Sequence, residues 1–241
     1  MTEYLYQKDS YLKEFTARVT GVEPESRAVL LDQTAFYPGG GGQPADEGAL
    51  HCNGMEYPIQ ALKKAPEGIW HVLGGEIPLP AEGSEVNGRI NWQRRYKLMR
   101  THSAMHILCG VVFRDYGALV TGGNMEPLQG RMDFEFEALT KELVHVIEEA
   151  VNREVQAAHP IQVKILPRKE AFKIPDLIRT KINLLPPEIK EIRTVEIVGL
   201  DLQADGGTHV ANTREVGTMR VVDYKSKGKI NKRIYVELEG E

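Results

Sequence analysis

His102-Ser-Ala-Met-His106 sets two imidazoles four residues apart, and on a helix such side chains stand one above the other, within reach of a single metal ion. Position 103 is Ser rather than Glu. That removes the HExxH layout, in which a general base stands beside a protease zinc. A second cluster, Asp201-Leu-Gln-Ala-Asp205-Gly-Gly-Thr-His209, follows an apolar stretch and ends in a histidine set in a glycine turn. Gly206 and Gly207 permit positive φ there, which would turn Asp205 and His209 toward a common point. Taken alone this segment reads as a hairpin turn with an exposed histidine. Beside HxxxH it completes a set of four donors in one region, and the joint reading is a metal site. Cys109 extends the histidine row to i+7, but seven residues rise about 10.5 Å along a helix, while zinc ligands converge to about 2.0–2.3 Å. Cys109 is therefore expected to be a buried thiol.

A third segment, Thr34-Ala-Phe-Tyr-Pro-Gly39-Gly40-Gly41-Gly42-Gln43-Pro-Ala-Asp46-Glu-Gly48, carries four consecutive glycines before a side-chain amide. It lacks the Lys-Ser/Thr of a P-loop, and no helix follows as a dinucleotide fingerprint requires. Such a run serves either close approach of backbone to a ligand or neighbouring domain, or a flexible connection. Basic residues gather at Arg89, Arg94, Arg95, Lys97 and Arg100, and again at Lys225, Lys227, Lys229, Lys232 and Arg233. Phosphate contacts and solvated faces explain such clusters equally well. The net charge of -4 gives no whole-protein signature of a nucleic-acid binder.

The elements that must position these residues fall into two textures. From Tyr11 to about Trp92 the chain shows short extended runs, Phe15–Val22, Ala28–Asp32, Ile59–Leu62 and Trp70–Leu73, broken by Gly, Pro and Asn. Pro78, Pro80, Gly83 and Asn87-Gly88 read as a link or hairpin. From Arg94 onward Tyr96, Met99, His102, Ser103, His106, Ile107 and Val111 recur at helical steps, and Leu139 to Val155 repeats the pattern. Strands are expected at Met132–Phe136, Ile161–Leu166, Val195–Val198, Thr218–Tyr224 and Ile230–Leu238. The expected class is α+β: a small N-terminal β-barrel over residues 1–90, then an α+β domain over 91–241 with helices packed on a mainly antiparallel sheet. Two cysteines, no apolar run long enough for a membrane helix and no signal-peptide layout point to a cytoplasmic protein.

Together the glycine-rich segment, His102 to His106, and Asp205-Gly-Gly-Thr-His-Val resemble the editing domain of alanyl-tRNA synthetases and its freestanding relatives, the AlaX proteins, in order and spacing from about Thr34 to Glu241. The chain looks like the longer AlaX form, with a glycine-rich barrel ahead of the zinc-bearing domain and no room for an aminoacylation domain. The resemblance implies a trans-editing deacylase. It would clear tRNA(Ala) whose acceptor end carries serine, or glycine, with Zn2+ held by His102, His106, Asp205 and His209.

Where the family usually has Cys-Gly-Gly-Thr-His, this chain has Asp205. A hard oxygen donor thus replaces a soft thiolate, and Gln203 or water is the other candidate for that corner. The stretch Leu119 to Asn124 resembles the family segment that lines the amino-acid pocket. Thr121 is its candidate catalytic hydroxyl, with Gly41, Gly42, Gln43, Gly122, Asn124, Gly206, Gly207 and Thr208 expected against substrate. The resemblance implies no membrane and no protein partner. Two other readings stand beside it: a noncatalytic RNA-binding module with a structural zinc, and a zinc hydrolase of other esters.

Overall fold

In-out alternation over residues 14–20 of the strand Glu14–Glu23 turns Phe15, Ala17 and Val19 inward, the period-2 signature of a strand with one buried face. The computed structural model describes residues 2–180 and 189–240, which divide into two units: Met1–Gly40 with Pro44–Tyr96, and Gly41–Gln43 with Lys97–Glu241.

In the first unit the strands are β1 (Glu3–Tyr4), β2 (Glu14–Glu23), β3 (Ala28–Leu31), β4 (Gln33–Thr34), β5 (Gly48–Cys52), β6 (Met55–Ala65), β7 (Gly68–Leu73) and β8 (Glu85–Ile90). They close a barrel in the order β2-β3-β7-β6-β5-β8, with β2 paired to both β3 and β8. Phe15, Val29, Leu31, Phe36, Leu50, Leu73 and Val86 fill it. The expected barrel is present. Asn87-Gly88 departs from its expected link or hairpin, because it lies inside β8. A Cβ at Gly88 would stand 2.3 Å from the Phe15 ring, so this glycine makes room for an aromatic across the barrel rather than a turn. The arginines beside the barrel also differ from a phosphate-binding reading. Arg95 is fully buried, pairs through Nε and Nη2 with both oxygens of Asp46, and donates to the Ala35 and Ser10 carbonyls. It is a structural clamp on the tail of the glycine-rich segment.

His71 on β7 is fully buried, with Nε2 2.9 Å from Thr34 Oγ1. Burial pushes its imidazole down to about 4, against about 6.5 in an unfolded chain. Between these values the unfolded chain holds a proton that the folded barrel refuses. Stability is therefore fully present above about pH 6.5 and falls by about 3 kcal/mol as pH drops through about 4. Urea midpoints of the wild type and His71→Asn across this window should diverge, the variant losing less; parallel curves would rule this out.

The second unit takes α1 (Trp92–Tyr116) from Lys97 onward, then β9 (Val120–Glu126), β10 (Gln129–Glu135), α2 (Lys141–Gln156), β11 (Ile161–Pro167), α3 (Arg168–Ala171), β12 (Glu191–Ile197), β13 (Asp201–Ala204), β14 (Thr218–Ser226) and β15 (Asn231–Glu239). The strands form two antiparallel sheets, β14-β15-β10-β9 and β11-β12-β13. Within this unit α1 shows no single buried face: every residue from Leu98 to Val112 is buried, as a central helix requires. Cβ atoms added at Gly130 of β10 and Gly110 of α1 would meet Met105 at 2.8 Å and Asp201 of β13 at 3.0 Å, so both sheets flank it. Buried Arg100 donates to the carbonyls of Val216, Glu239 and Gly240, again a structural use of a basic side chain. The polar network on α1 therefore sits inside a packed interior.

α2 starts at an N-cap, Thr140, whose side chain accepts from the Leu143 amide. Asn152 and Glu148 then bond the β14 backbone at Met219 and Val221. In the last hairpin Arg233 pairs with Asp133 through Nε and Nη2, and buried Lys232 donates to the Gly228 and Lys229 carbonyls. That leaves Lys225, Lys227 and Lys229 as the exposed members of this cluster.

Candidate metal centre

One turn of α1 separates His102 from His106, and the segment after β13 brings Asp205 and His209 to them. A donor atom from each of the four lies within 4.8 Å of every other. The ring centroids are 4.1 Å apart for His102 and His209, 4.7 Å for His106 and His209, and 5.1 Å for His102 and His106. All three Nε2 atoms face one carboxylate. His102 and His106 stand 3.4 and 3.8 Å from Asp205 Oδ1, and His209 stands 3.2 Å from Oδ2. Donors about 2.1 Å from a tetrahedral metal ion are separated by about 3.4 Å; the nitrogen–carboxylate distances are of that order, and the four residues form a group that could hold a metal ion. The Asp205 side chain is 15% exposed and the histidines 2–9%. Among the described residues, the cluster thus meets solvent most at its carboxylate.

The opposite ring nitrogens have separate partners. His102 Nδ1 is 2.9 Å from Gln43 Oε1 and His209 Nδ1 is 3.2 Å from Ser103 Oγ, which also accepts from the Val210 amide, while His106 Nδ1 faces Asp201 Oδ2 at 3.4 Å, an ion-pair approach without hydrogen-bond geometry. Metal-binding histidines are held this way, the outer nitrogen fixed and the inner one presented.

Burial opposes charge on His106, but the carboxylates of Asp201 and Asp205 beside it override this and raise the imidazole to about 9. Burial works against the Asp205 carboxylate too; the surrounding histidines, His102 foremost, nevertheless hold it well below the usual range. Burial and the neighbouring His102 keep His209 well below its ordinary value. Without an ion, the carboxylate is therefore the negative centre of an imidazole cage.

Cys109 stands outside the cluster. It is buried, its thiol is pushed up chiefly by burial, and its sulfur accepts from Gln203 Nε2 at 3.4 Å. The same amide nitrogen donates to Asp201 Oδ2 at 2.6 Å, so it is committed to Asp201 and Cys109. Gly206 and Gly207 do not take the expected positive φ; the four glycines from Gly39 to Gly42 do, at 85°, 134°, 59° and 89°. What bends the DGGTH turn is Asp205 Oδ2 accepting from the Gly207 amide at 2.6 Å, while Gly207 supplies space.

Gly42 meets β9: its carbonyl accepts from the Met125 amide, which also reaches Asn124 Oδ1. Thr121 is exposed on β9 and donates to Asn231 Oδ1 at 3.1 Å. Gly122 faces Asp133, which a Cβ there would approach to 3.7 Å. Gly41 and Gly206 are exposed, whereas Gln43, Gly207 and Thr208 are buried, with Gln43 bonded to His102 and Thr208. Sequence reasoning missed Ser103 and Asp201 as partners of the histidines, although Ser103 adjoins His102 and Asp201 opens the segment that carries Asp205 and His209.

Two family models match parts of the chain: tRNA synthetases class II (A) over residues 7–94, and the second additional domain of threonyl and alanyl tRNA synthetases over residues 192–235. An alanyl-tRNA editing protein AlaX-M of Saccharolobus solfataricus is 41% identical over 239 residues, covering 98% of each chain. The chain belongs to the AlaX-M family. Another AlaX-M, from Methanosarcina barkeri, is 37% identical across 99% of both chains. An alanine–tRNA ligase of Pyrobaculum neutrophilum is 39% identical over 227 residues, which is 91% of this chain and 25% of the ligase. This AlaX-M chain therefore corresponds to a portion of such ligases, and no described helix in it is long and apolar enough to cross a membrane.

Proposed function

We propose that this chain is a deacylase that hydrolyses the ester of tRNA(Ala) mischarged with serine, and with glycine, at a zinc ion held by His102, His106, Asp205 and His209. The observation that carries this reading is the convergence of three Nε2 atoms on the Asp205 carboxylate at the cluster's most solvent-exposed side chain. Family membership supplies the reaction class and tRNA as the substrate. Zinc held by these four residues would supply Lewis acidity to an ester carbonyl or a water taken as a fifth ligand. The chain supplies the rest. Asp201, Ser103 and Gln43 orient the rings. Exposed Gly41 and Gly206, with no atoms within 4 Å of an added Cβ, let the acceptor end approach backbone closely. Gly42 packs against the backbone of Gly123 and Asn124 on β9, and that strand, with Gly122, is proposed to line the same approach.

Thr121 has its hydroxyl proton turned to Asn231, so it offers acceptor lone pairs to a seryl hydroxyl. Thr121 is exposed in the free protein, so selectivity requires the bound aminoacyl end to shield it from water; an alanyl methyl then leaves those lone pairs unpaired, and sites built on such shielded hydrogen bonds reject the analogue lacking the group by large ratios. Glycine lacks this handle, so its hydrolysis rests on the absence of steric exclusion.

The test is deacylation of Ser-, Gly- and Ala-charged tRNA(Ala), with and without chelator, alongside metal analysis. Serine should be released fastest, alanine slowest, and chelation should stop release in parallel with zinc loss. Undiminished hydrolysis by metal-free protein would discard the zinc role, and equal rates on serine and alanine would discard the selectivity.

A further inference from the structure

A backbone amide can only donate, and this identifies the atoms of the Gln43 side chain. The Thr208 amide points at one end of it at 3.0 Å, so that end is the carbonyl oxygen. The other end, the NH2, donates to Thr208 Oγ1 at 2.9 Å. The same oxygen lies 2.9 Å from His102 Nδ1, and two facing acceptors would repel, so Nδ1 must carry the proton. That leaves Nε2 as the ring nitrogen available to an ion, and that atom is the one facing Asp205.

Gln43 is 2% exposed and its hydrogen bonds run to His102 and Thr208, so it is already occupied inside the protein. The positive φ values of the glycines before it, and the 3.1 Å that would separate a Gly42 Cβ from the Gly123 carbonyl, describe a backbone path that side chains would block. That path ends at the amide.

We infer that Gln43 is a positioning residue rather than a substrate contact: it locks the His102 ring with Nδ1–H toward the amide and Nε2 toward the donor cluster. It also ties that ring to the DGGTH turn through Thr208. The inference rests on the proposed zinc site for its affinity consequence, while the tautomer assignment stands without it.

The test compares Gln43→Leu, which removes the acceptor, with Gln43→Glu, whose carboxylate accepts from both Thr208 N and His102 Nδ1 while the Thr208 hydroxyl turns to donate. Long-range proton–nitrogen NMR on metal-free protein should show His102 Nδ1 protonated in wild type and Gln43→Glu, with that preference lost in Gln43→Leu. Chelator competition should show zinc affinity reduced about 10–100-fold in Gln43→Leu, the usual effect of losing an outer partner, and restored to within a few-fold in Gln43→Glu. An unchanged His102 tautomer in folded Gln43→Leu would overturn the inference. So would equal zinc affinity in all three proteins. Wild type that binds no zinc but keeps Nδ1 protonated would instead remove the zinc reading and leave the tautomer lock standing.

Discussion

His106→Ala should yield a folded protein that neither retains zinc nor releases serine from tRNA. The imidazole removed is one of four donors, and its other nitrogen is held 3.4 Å from Asp201, so an alanine takes away a ligand and an anchored geometry together. The loss in kcat/KM should exceed the ~100-fold that outer-partner changes give. The fold should survive. Asp201 keeps Arg179 at 3.4 Å and Gln203 at 2.6 Å, so it is not stranded as a buried unpaired charge. Buried Leu98, Met99, Ile107, Leu108, Val111 and Val112 continue to hold α1 in place. The cost in stability is that of a lost buried polar partner, about 1–3 kcal/mol. Metal content, deacylation rate and circular dichroism on one preparation check the three parts. Wild-type hydrolysis by the metal-free variant would remove the ion from the reaction.

How far the sequence reveals this site depends on whether the relevant signal is local. Two imidazoles four apart on a periodic helix and an Asp and His flanking two glycines are visible because spacing alone encodes them, and the structure brings these four residues together. Barrel strands such as β2 and β3 show through alternation. Strands β5, β8 and β9 do not, since Gly48, Gly88, Gly122 and Gly123 imitate turn residues, the first two while serving as room for a neighbour. Phe15 over Gly88 is such a neighbour. The uses of Arg95 and Arg100 are equally hidden. A basic residue followed by others reads as a charged face, and only long-range contacts to Asp46 and to the carbonyls of Val216, Glu239 and Gly240 make it interior. The Gln43 bond to His102 joins positions 59 residues apart, beyond any periodicity test.

Gly207→Ala should be nearly as damaging as the loss of a ligand, although it removes no polar atom. Gly207 has no positive φ, so backbone strain is not the cause. Its added Cβ would stand 2.3 Å from His102 Cε1, 2.6 Å from His102 Nδ1 and 2.6 Å from Gln43 Oε1, wedged across the hydrogen bond between ring and amide. Neither neighbour can yield cheaply, because His102 sits on a helix buried on every side and Gln43 is bonded at both ends of its amide. Either the ring swings out of the cluster or the DGGTH turn withdraws Asp205 and His209. Zinc affinity should fall at least ~100-fold, the upper range for disturbing ligand orientation, with an overpacking cost of about 1–3 kcal/mol in stability. Gly206→Ala is the matched control: that position is exposed and an added Cβ meets nothing within 4 Å, so zinc binding and melting temperature should stay at wild-type values. Shortening the partner in a Gly207→Ala, Gln43→Ala double variant should not rescue binding, since the contact with the His102 ring persists. Wild-type zinc affinity in Gly207→Ala would mean that the turn and the ring do not depend on each other, and the cluster would have to be held by other contacts.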